Sequence, residues 1–424
     1  MKAVNFLTLS SPVFAFLELT PLCNNRCPGC GNVFVERGKE AKGTREAKPF
    51  LSAAQWWKVL KKLHPHIFSL RLTGGEPTLH PEFAEIVHSV VEMGIPFSLF
   101  TNARWSQPAQ IVHLLQRIPQ CTGLLVSLHG PDPASHDAFT DVPGSFHETV
   151  ANVRRAIAAG LTVAISTIIT SLNYYRVPEM LRLIRELGAT CIVFNRFLTI
   201  HQDTPLVPTD EQLITAMQAV DEARSEGVPA RFSVCIPQCF YPSSSSGCLA
   251  GVAYCTIDPW GNVRPCNHAP LLCGNILEQS VEEIWHGEAM RRWREMFHPD
   301  CSRCVELPRC HGGCKAMALV RGLDHDPLMR GPITEKRPSQ PVKHTLYAGA
   351  RPLPRFRLRP EPFGYVLVRH SRVIPVTSAA RPLLDALDGT VTLQDIKERF
   401  GQEGLNFVGM LYTKGFVELR EDLG

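Results

Sequence analysis

Cys23, Cys27 and Cys30 follow one another at x3 and x2 spacing in Cys23-Asn24-Asn25-Arg26-Cys27-Pro28-Gly29-Cys30. The loop comes directly after an apolar run, Phe14 to Leu19, that reads as a buried strand. Three thiolates this close can hold three irons of a cubane cluster, leaving the fourth open to a small molecule. A structural zinc site would want four ligands, and no fourth Cys or His is near in the sequence. A chance triplet is the plain alternative. Thiols return far downstream: Cys248 and Cys255, then Gly261-x4-Cys266, then Cys301-x2-Cys304-x5-Cys310-x3-Cys314. On spacing alone, the last four fit a zinc ribbon or knuckle as well as an iron–sulfur module.

The rest of the composition limits the function classes. The chain has 424 residues, enough for two or three domains, and an ordinary globular composition. A net charge of +4 gives no strong pull toward nucleic acid. No secretory signal or run of eighteen apolar residues is visible, so no membrane partner is expected. Fifteen cysteines in such a chain point to metal in a cytoplasmic protein rather than to disulfides. Cys121 and Cys191 lie in or beside strands and read as core residues. Cys235, Cys239 and Cys273 are left unassigned.

Strand and helix patterns alternate along the first 230 residues. Phe14–Leu19, Ile67–Thr73, Pro96–Thr101, Leu124–His129, Leu161–Ile169 and Cys191–Phe197 read as strands. Between them fall helical faces such as Trp56, Val59, Leu60 and Leu63, with Ser52 as cap. Ser145 with Glu148, and Thr209 with Gln212, have the capping-box spacing. Such alternation predicts a parallel sheet with helices outside, whether open or a partial barrel. Functional groups then belong at the strand C-terminal ends. Thr73-Gly74-Gly75-Glu76-Pro77, Asn102, Ser127 and His129 all sit there.

The C-x3-C-x2-C loop followed by Gly-Gly-Glu-Pro resembles the radical S-adenosylmethionine (SAM) superfamily. That resemblance implies a partial (β/α)6 TIM-like barrel and a SAM-binding 4Fe-4S cluster on Cys23, Cys27 and Cys30. It also implies SAM contacts at Gly74, Gly75, Glu76, Pro77, Asn102 and Ser127. Three positions depart from the family pattern. Gly29 replaces an aromatic residue that packs near the SAM adenine. His129 stands where relatives often carry Asp. Thr140, in the stretch from His136, replaces an Arg that holds the SAM carboxylate; Arg196 is either its substitute or a paired structural Arg. The second thiol zone resembles the SPASM domain, which carries one or two auxiliary iron–sulfur clusters. By that resemblance Cys248, Cys255, Cys266 and Cys314 hold one cluster and Cys301, Cys304 and Cys310 the other. The family's last Cys is missing. Either Asp324, His325 or Asp326 substitutes, or the open iron binds substrate, or the cluster does not form.

The domains expected are 1–230 (radical SAM), 231–330 (SPASM), a Pro/Arg-rich linker at 331–361, and 362–424. The last reads as a hairpin, Tyr365–Val368 with Val373–Val376, plus three helices and a closing strand, a winged-helix-like arrangement. It lacks a basic recognition helix. Leu387-Asp388-Gly389 and Thr392 to Ile396 resemble the peptide chaperone of pyrroloquinoline quinone biosynthesis, which binds a leader peptide as an added strand. The resemblances together imply a peptide maturase. SAM is reductively cleaved to a 5′-deoxyadenosyl radical, which takes hydrogen from a ribosomally made precursor peptide. The auxiliary clusters accept an electron, and the product is crosslinked or otherwise oxidised. A flavodoxin- or ferredoxin-type donor would supply the first electron. No protein catalytic residue is implied. Two alternatives stand beside it: a radical SAM enzyme for a small molecule, and a non-catalytic metal-cluster protein.

Overall fold

The computed structural model describes residues 8–34, 49–198, 204–232, 235–242, 247–335, 347–370 and 372–420. The chain forms two compact units, 1–335 and 336–424.

In the first unit, seven parallel strands lie in sequence order: β1 (Phe14–Glu18), β2 (Ser69–Thr73), β3 (Phe97–Thr101), β4 (Cys121–Ser127), β5 (Val163–Ile168), β6 (Cys191–Asn195) and β7 (Ala230–Phe232). Successive side chains on a strand face opposite sides. Leu17, Leu72, Leu99, Val126, Ile165 and Ile192 pack in one core with helix residues such as Trp56, Ile86, Val153 and Met180. The alternate residues, among them Phe16, Ser98, Phe100, Leu125, Ser127, Ser166 and Asn195, stay half-buried and line the lumen of an open barrel.

The expected boundary at 230/231 does not interrupt the sheet. The chain returns to the opposite edge, where β8 (Tyr254–Ile257) pairs in parallel with β1. β9 (Asn262–Arg264) and β10 (Gly274–Asn275) follow antiparallel, completing ten strands. In the turn between β8 and β9 the Asp258 carboxylate accepts the Trp260 and Asn262 N–H groups, both at 2.9 Å.

Ser52 and Thr209 form capping boxes with Gln55 and Gln212. Ser145 does not. Its hydroxyl is within 2.8 Å of the Asp137 carboxylate and 2.6 Å of Thr140 Oγ1, and Gly144 is the cap. Asp137 also accepts the Gly144 and Phe146 N–H groups, so a carboxylate from an earlier helix caps this one.

The second unit has its own core, including Leu367, Leu384, Ile396, Val408, Leu411 and Phe416. β11 (Arg351–Pro354) pairs with β15 (Val417–Arg420), while β12 (Arg357–Glu361), β13 (Gly364–Arg369) and β14 (Arg372–Thr377) form a meander. Helices run over Arg381–Asp385 and Leu393–Thr413, the latter broken at Gly401, whose φ is 69°. Residues 351–354 and 357–361 are therefore strand rather than linker. Pro352, Pro354 and Pro360 fall in the expected linker, but all sit on edge strands, where a missing N–H is tolerated. Among the described residues no helix is long and apolar enough to cross a membrane.

The β8–β1 seam ends in a buried ion pair between Glu18 and Arg264. Asn267 Nδ2 adds a hydrogen bond to Glu18 at 3.1 Å, and Arg264 also donates to the Asn267 carbonyl at 2.9 Å. Burial pushes the Glu18 carboxyl up to about 7, against the pull of Arg264. Removing one member of such a pair strands a buried charge. Arg264→Met should therefore destabilise residues 1–335 by about 3–5 kcal/mol, read as a lowered urea midpoint.

Candidate cluster and cofactor site

The Cys23–Cys30 loop leaves the C-terminal end of β1 and is pinned from three sides. Arg104, just past β3, donates to the Asn24 carbonyl at 2.7 Å and to Asn25 Oδ1 at 2.8 Å. Asn102 Nδ2 donates to Asn24 Oδ1 at 2.7 Å. The Arg26 N–H reaches the Thr140 carbonyl at 2.9 Å, and its guanidinium pairs with Asp141. Cys23 Sγ accepts the Asn25 N–H at 3.4 Å and lies close to Cys30. Burial pushes the Cys23 thiol up to about 12. Such a thiol ionises when a metal supplies the opposite charge.

Gly74 and Gly75 serve the chain itself. A Cβ on Gly75 would lie 2.2 Å from the Leu22 carbonyl oxygen, and one on Gly74 2.7 Å from that of Thr20. The Gly75 and Glu76 N–H groups donate to these same carbonyls at 2.8 and 2.7 Å. The glycines thus let the Cys loop's backbone dock on the end of β2. The Glu76 side chain is fully buried and engaged. It accepts from Thr78 Oγ1 at 2.7 Å, Thr101 Oγ1 at 2.8 Å and the Asn102 N–H at 2.7 Å. Its charge ties β2 to β3, and Pro77 opens a short 3-10 turn behind it. Ser127 lies beside Ser166 on the lumen face.

Gly29 has a packing reason. A Cβ there would sit 2.5 Å from the Phe197 ring and 3.4 Å from Phe139. Aromatic side chains from beyond β6 and from helix 133–140 occupy the space beside the Cys loop. Thr140 holds the loop through its carbonyl and Ser145 through its hydroxyl. His129 is a packing residue: its Nδ1 accepts the Ile168 N–H at 3.2 Å, and its ring lies 4.0 Å from Phe139. Arg196 is a paired structural Arg, with bonds of 2.7 and 3.0 Å to Asp326.

Sequence reasoning missed Arg71. Its place beside Phe16 and Ser98 turns it into the lumen, over the Phe14 ring at 5.7 Å. Among the described residues it forms no ion pair, and burial lowers its pKa to about 10. The only signal was a charge inside a strand pattern.

In the second zone, Cys248, Cys266 and Cys314 come together. The structure does not bring Cys255 to them. On β8 the pleat sends Tyr254 to the side of Phe14, Phe16 and the thiols of Cys248, Cys266 and Cys314, and Cys255 the other way, near Cys273. Cys235 instead lies beside Cys248 and Cys314, and beside Cys310 as well. Lys315 faces Cys248, and Arg196 faces Cys314. Cys301, Cys304 and Cys310 line a small cavity together with Cys239. Asp326, wholly engaged by Arg196 and the Cys314 N–H at 2.7 Å, is unavailable as a ligand. Asp324 and His325 group with His298 instead. The thiol sets, their N–H donors and their burial suit iron–sulfur clusters.

Residues 17–187 match the model of the radical SAM superfamily, and residues 248–305 that of an iron-sulfur cluster-binding domain, SPASM. The chain is similar to an AdoMet-dependent heme synthase of Methanosarcina barkeri, 28% identical over 345 residues, covering 74% of this chain and 95% of that one. It is equally similar to a PqqA peptide cyclase of Xanthomonas campestris, 28% identical over 350 residues, covering 78% and 89%. The solved structure of Streptococcus suis SuiB bound to precursor peptide SuiA shares the fold, with a TM-score of 0.63 at 17% identity over 76% of each chain. The sheet is thus the partial barrel of radical SAM type.

Gly29→Ala should cost about 1–3 kcal/mol by overpacking against Phe197. The double variant Gly29→Ala/Phe197→Ala should recover most of the part due to the clash, measured as a double-mutant cycle on thermal unfolding.

Proposed function

We propose that this chain, an enzyme with a radical SAM domain at residues 17–187 and a SPASM domain at 248–305, matures a ribosomally made precursor peptide to a crosslinked or otherwise oxidised product. Cys23, Cys27 and Cys30 would hold the SAM-binding cluster. The strand ends at Gly74–Pro77, Asn102 and Ser127 would line the SAM site, with Phe197 supplying the aromatic surface that Gly29 lacks. When bound, cluster and SAM supply a carbon radical able to take hydrogen from an unactivated C–H bond. The aromatic lumen of Phe14, Phe16, Phe100 and Tyr254 would keep water from that radical, and Arg71 would orient an anionic group of the substrate. A flavodoxin- or ferredoxin-type donor fits this chemistry. Fifteen cysteines, with no disulfide among the described residues, fit a reducing cytoplasm.

The second unit carries the peptide reading. Among the described residues its meander ends in edge strand β14, whose outer side would accept an added strand. Pro375 withholds one N–H there, which narrows the register. The similarity to a peptide cyclase supports the same conclusion. A second reading, action on a small molecule, is favoured by the likeness to heme synthases; the second unit would then be a lid or dimer contact.

The test compares the full reconstituted chain with one ending at Glu335. Peptides encoded by short reading frames beside the gene are assayed for binding and for mass change. One of them should bind the full chain at least about tenfold more tightly, worth ~1.4 kcal/mol, and be modified by it alone. Both proteins should release 5′-deoxyadenosine without peptide. Equal modification by the shortened chain, or no binding by any peptide, would sink the proposal.

A further inference from the structure

We infer that Cys235 and Cys239, two thiols outside the SPASM spacing, complete the two auxiliary clusters, so that each is held by four protein thiolates. The inference rests on the SPASM assignment and is independent of the peptide reading.

Segment 235–239 runs between the two thiol groups. Cys235 is buried facing Cys248, Cys310 and Cys314; its Sγ lies 3.9 Å from the Cys310 carbonyl, and its own carbonyl accepts from Arg196 at 3.3 Å. A turn follows, with the Phe240 N–H bonded to the Pro237 carbonyl at 3.0 Å. It carries Cys239 into the cavity of Cys301, Cys304 and Cys310. Burial and the neighbouring thiols both push the Cys301 thiol up.

Buried cysteines often only fill space, but these thiols are surrounded by donors. The Arg330 N–H reaches Cys239 Sγ at 3.2 Å, and that of Ile333 reaches Cys304 Sγ at 3.3 Å. N–H groups of Gln238, Gly312 and Gly313 point at Cys310. Gly312 and Gly313 have φ of 79° and 82°, the left-handed backbone that curls N–H groups around an anion. Aimed donors of this kind are a lever that tunes a cluster's potential.

The competing ligands are otherwise engaged: Asp326 by Arg196, Asp324 and His325 in the group with His298, and Cys255 on the wrong side of its strand. Four thiolates are the usual set for two-iron and four-iron clusters alike. With all four supplied by the chain, neither auxiliary site keeps a coordination position for substrate.

The test uses the full chain with Cys23, Cys27 and Cys30 all changed to Ala, reconstituted anaerobically with iron and sulfide, so that only auxiliary clusters are read. In this background Cys239→Ser should lower the iron content and abolish or shift one of two EPR signals of the reduced protein. Cys235→Ser should do the same to the other. Cys255→Ser should leave both signals and the iron unchanged. Retention of both signals in Cys239→Ser, or loss of one in Cys255→Ser, would overturn the assignment; a parent holding no iron would instead refute the cluster reading of the zone. A readout that does not depend on a variant's folding is alkylation of the native parent. Half-buried Cys239 should be protected in the iron-loaded protein and react about tenfold faster once iron is removed. Equal reaction in both forms would also overturn the assignment.

Discussion

The parallel pairing of β8 with β1 is the contact on which the first unit depends. β1 lies between β2 and β8, and its end launches the Cys23–Cys30 loop. A single five-residue strand therefore fixes the position of both cysteine zones. Its last residue, Glu18, is locked by Arg264 from β9, and Asn32, just past the Cys loop, donates to Glu18 at 3.4 Å and to the Gly74 carbonyl at 3.2 Å. A buried ion pair is weak evidence for net stability. Here it fixes a register, because both partners would be left charged and unpaired by a slip of one residue.

Much of the barrel was legible because its helices are amphipathic and its strands are short apolar runs between turn residues. The Cys loop was legible because its chemistry is local. What escaped depended on contacts distant in sequence. Ser145 looked like a capping residue until Asp137 supplied the cap. That Gly74 and Gly75 lie against the Thr20 and Leu22 carbonyls, just before the Cys loop, was not legible either. Cys255 carries the expected spacing, but a spacing says nothing of which face of a strand a residue occupies. Cys235 and Cys239 lie outside any recognised spacing, and only the folded turn shows where they point. The prolines of β11 and β12 read as loop because sequence does not distinguish an edge strand from a linker.

The two auxiliary thiol groups differ in what surrounds them. Cys248 and Cys314 face the cations Lys315 and Arg196. The Cys239 group has backbone N–H donors and the Met329 sulfur, 3.8 Å from Cys301. Charge neutralisation and hydrogen bonding are separate levers on a cluster's potential. The surroundings thus give the two sites unequal electrostatics within one compact unit.

The contact between Gly29 and Phe197 couples the loop after the first strand to the segment after the sixth. Even a Cβ at position 29 would meet the far end of the Phe197 ring at 2.5 Å, so bulk on the Cys loop requires that ring to turn away. The two positions share one volume, and a change of size at either is felt at the other.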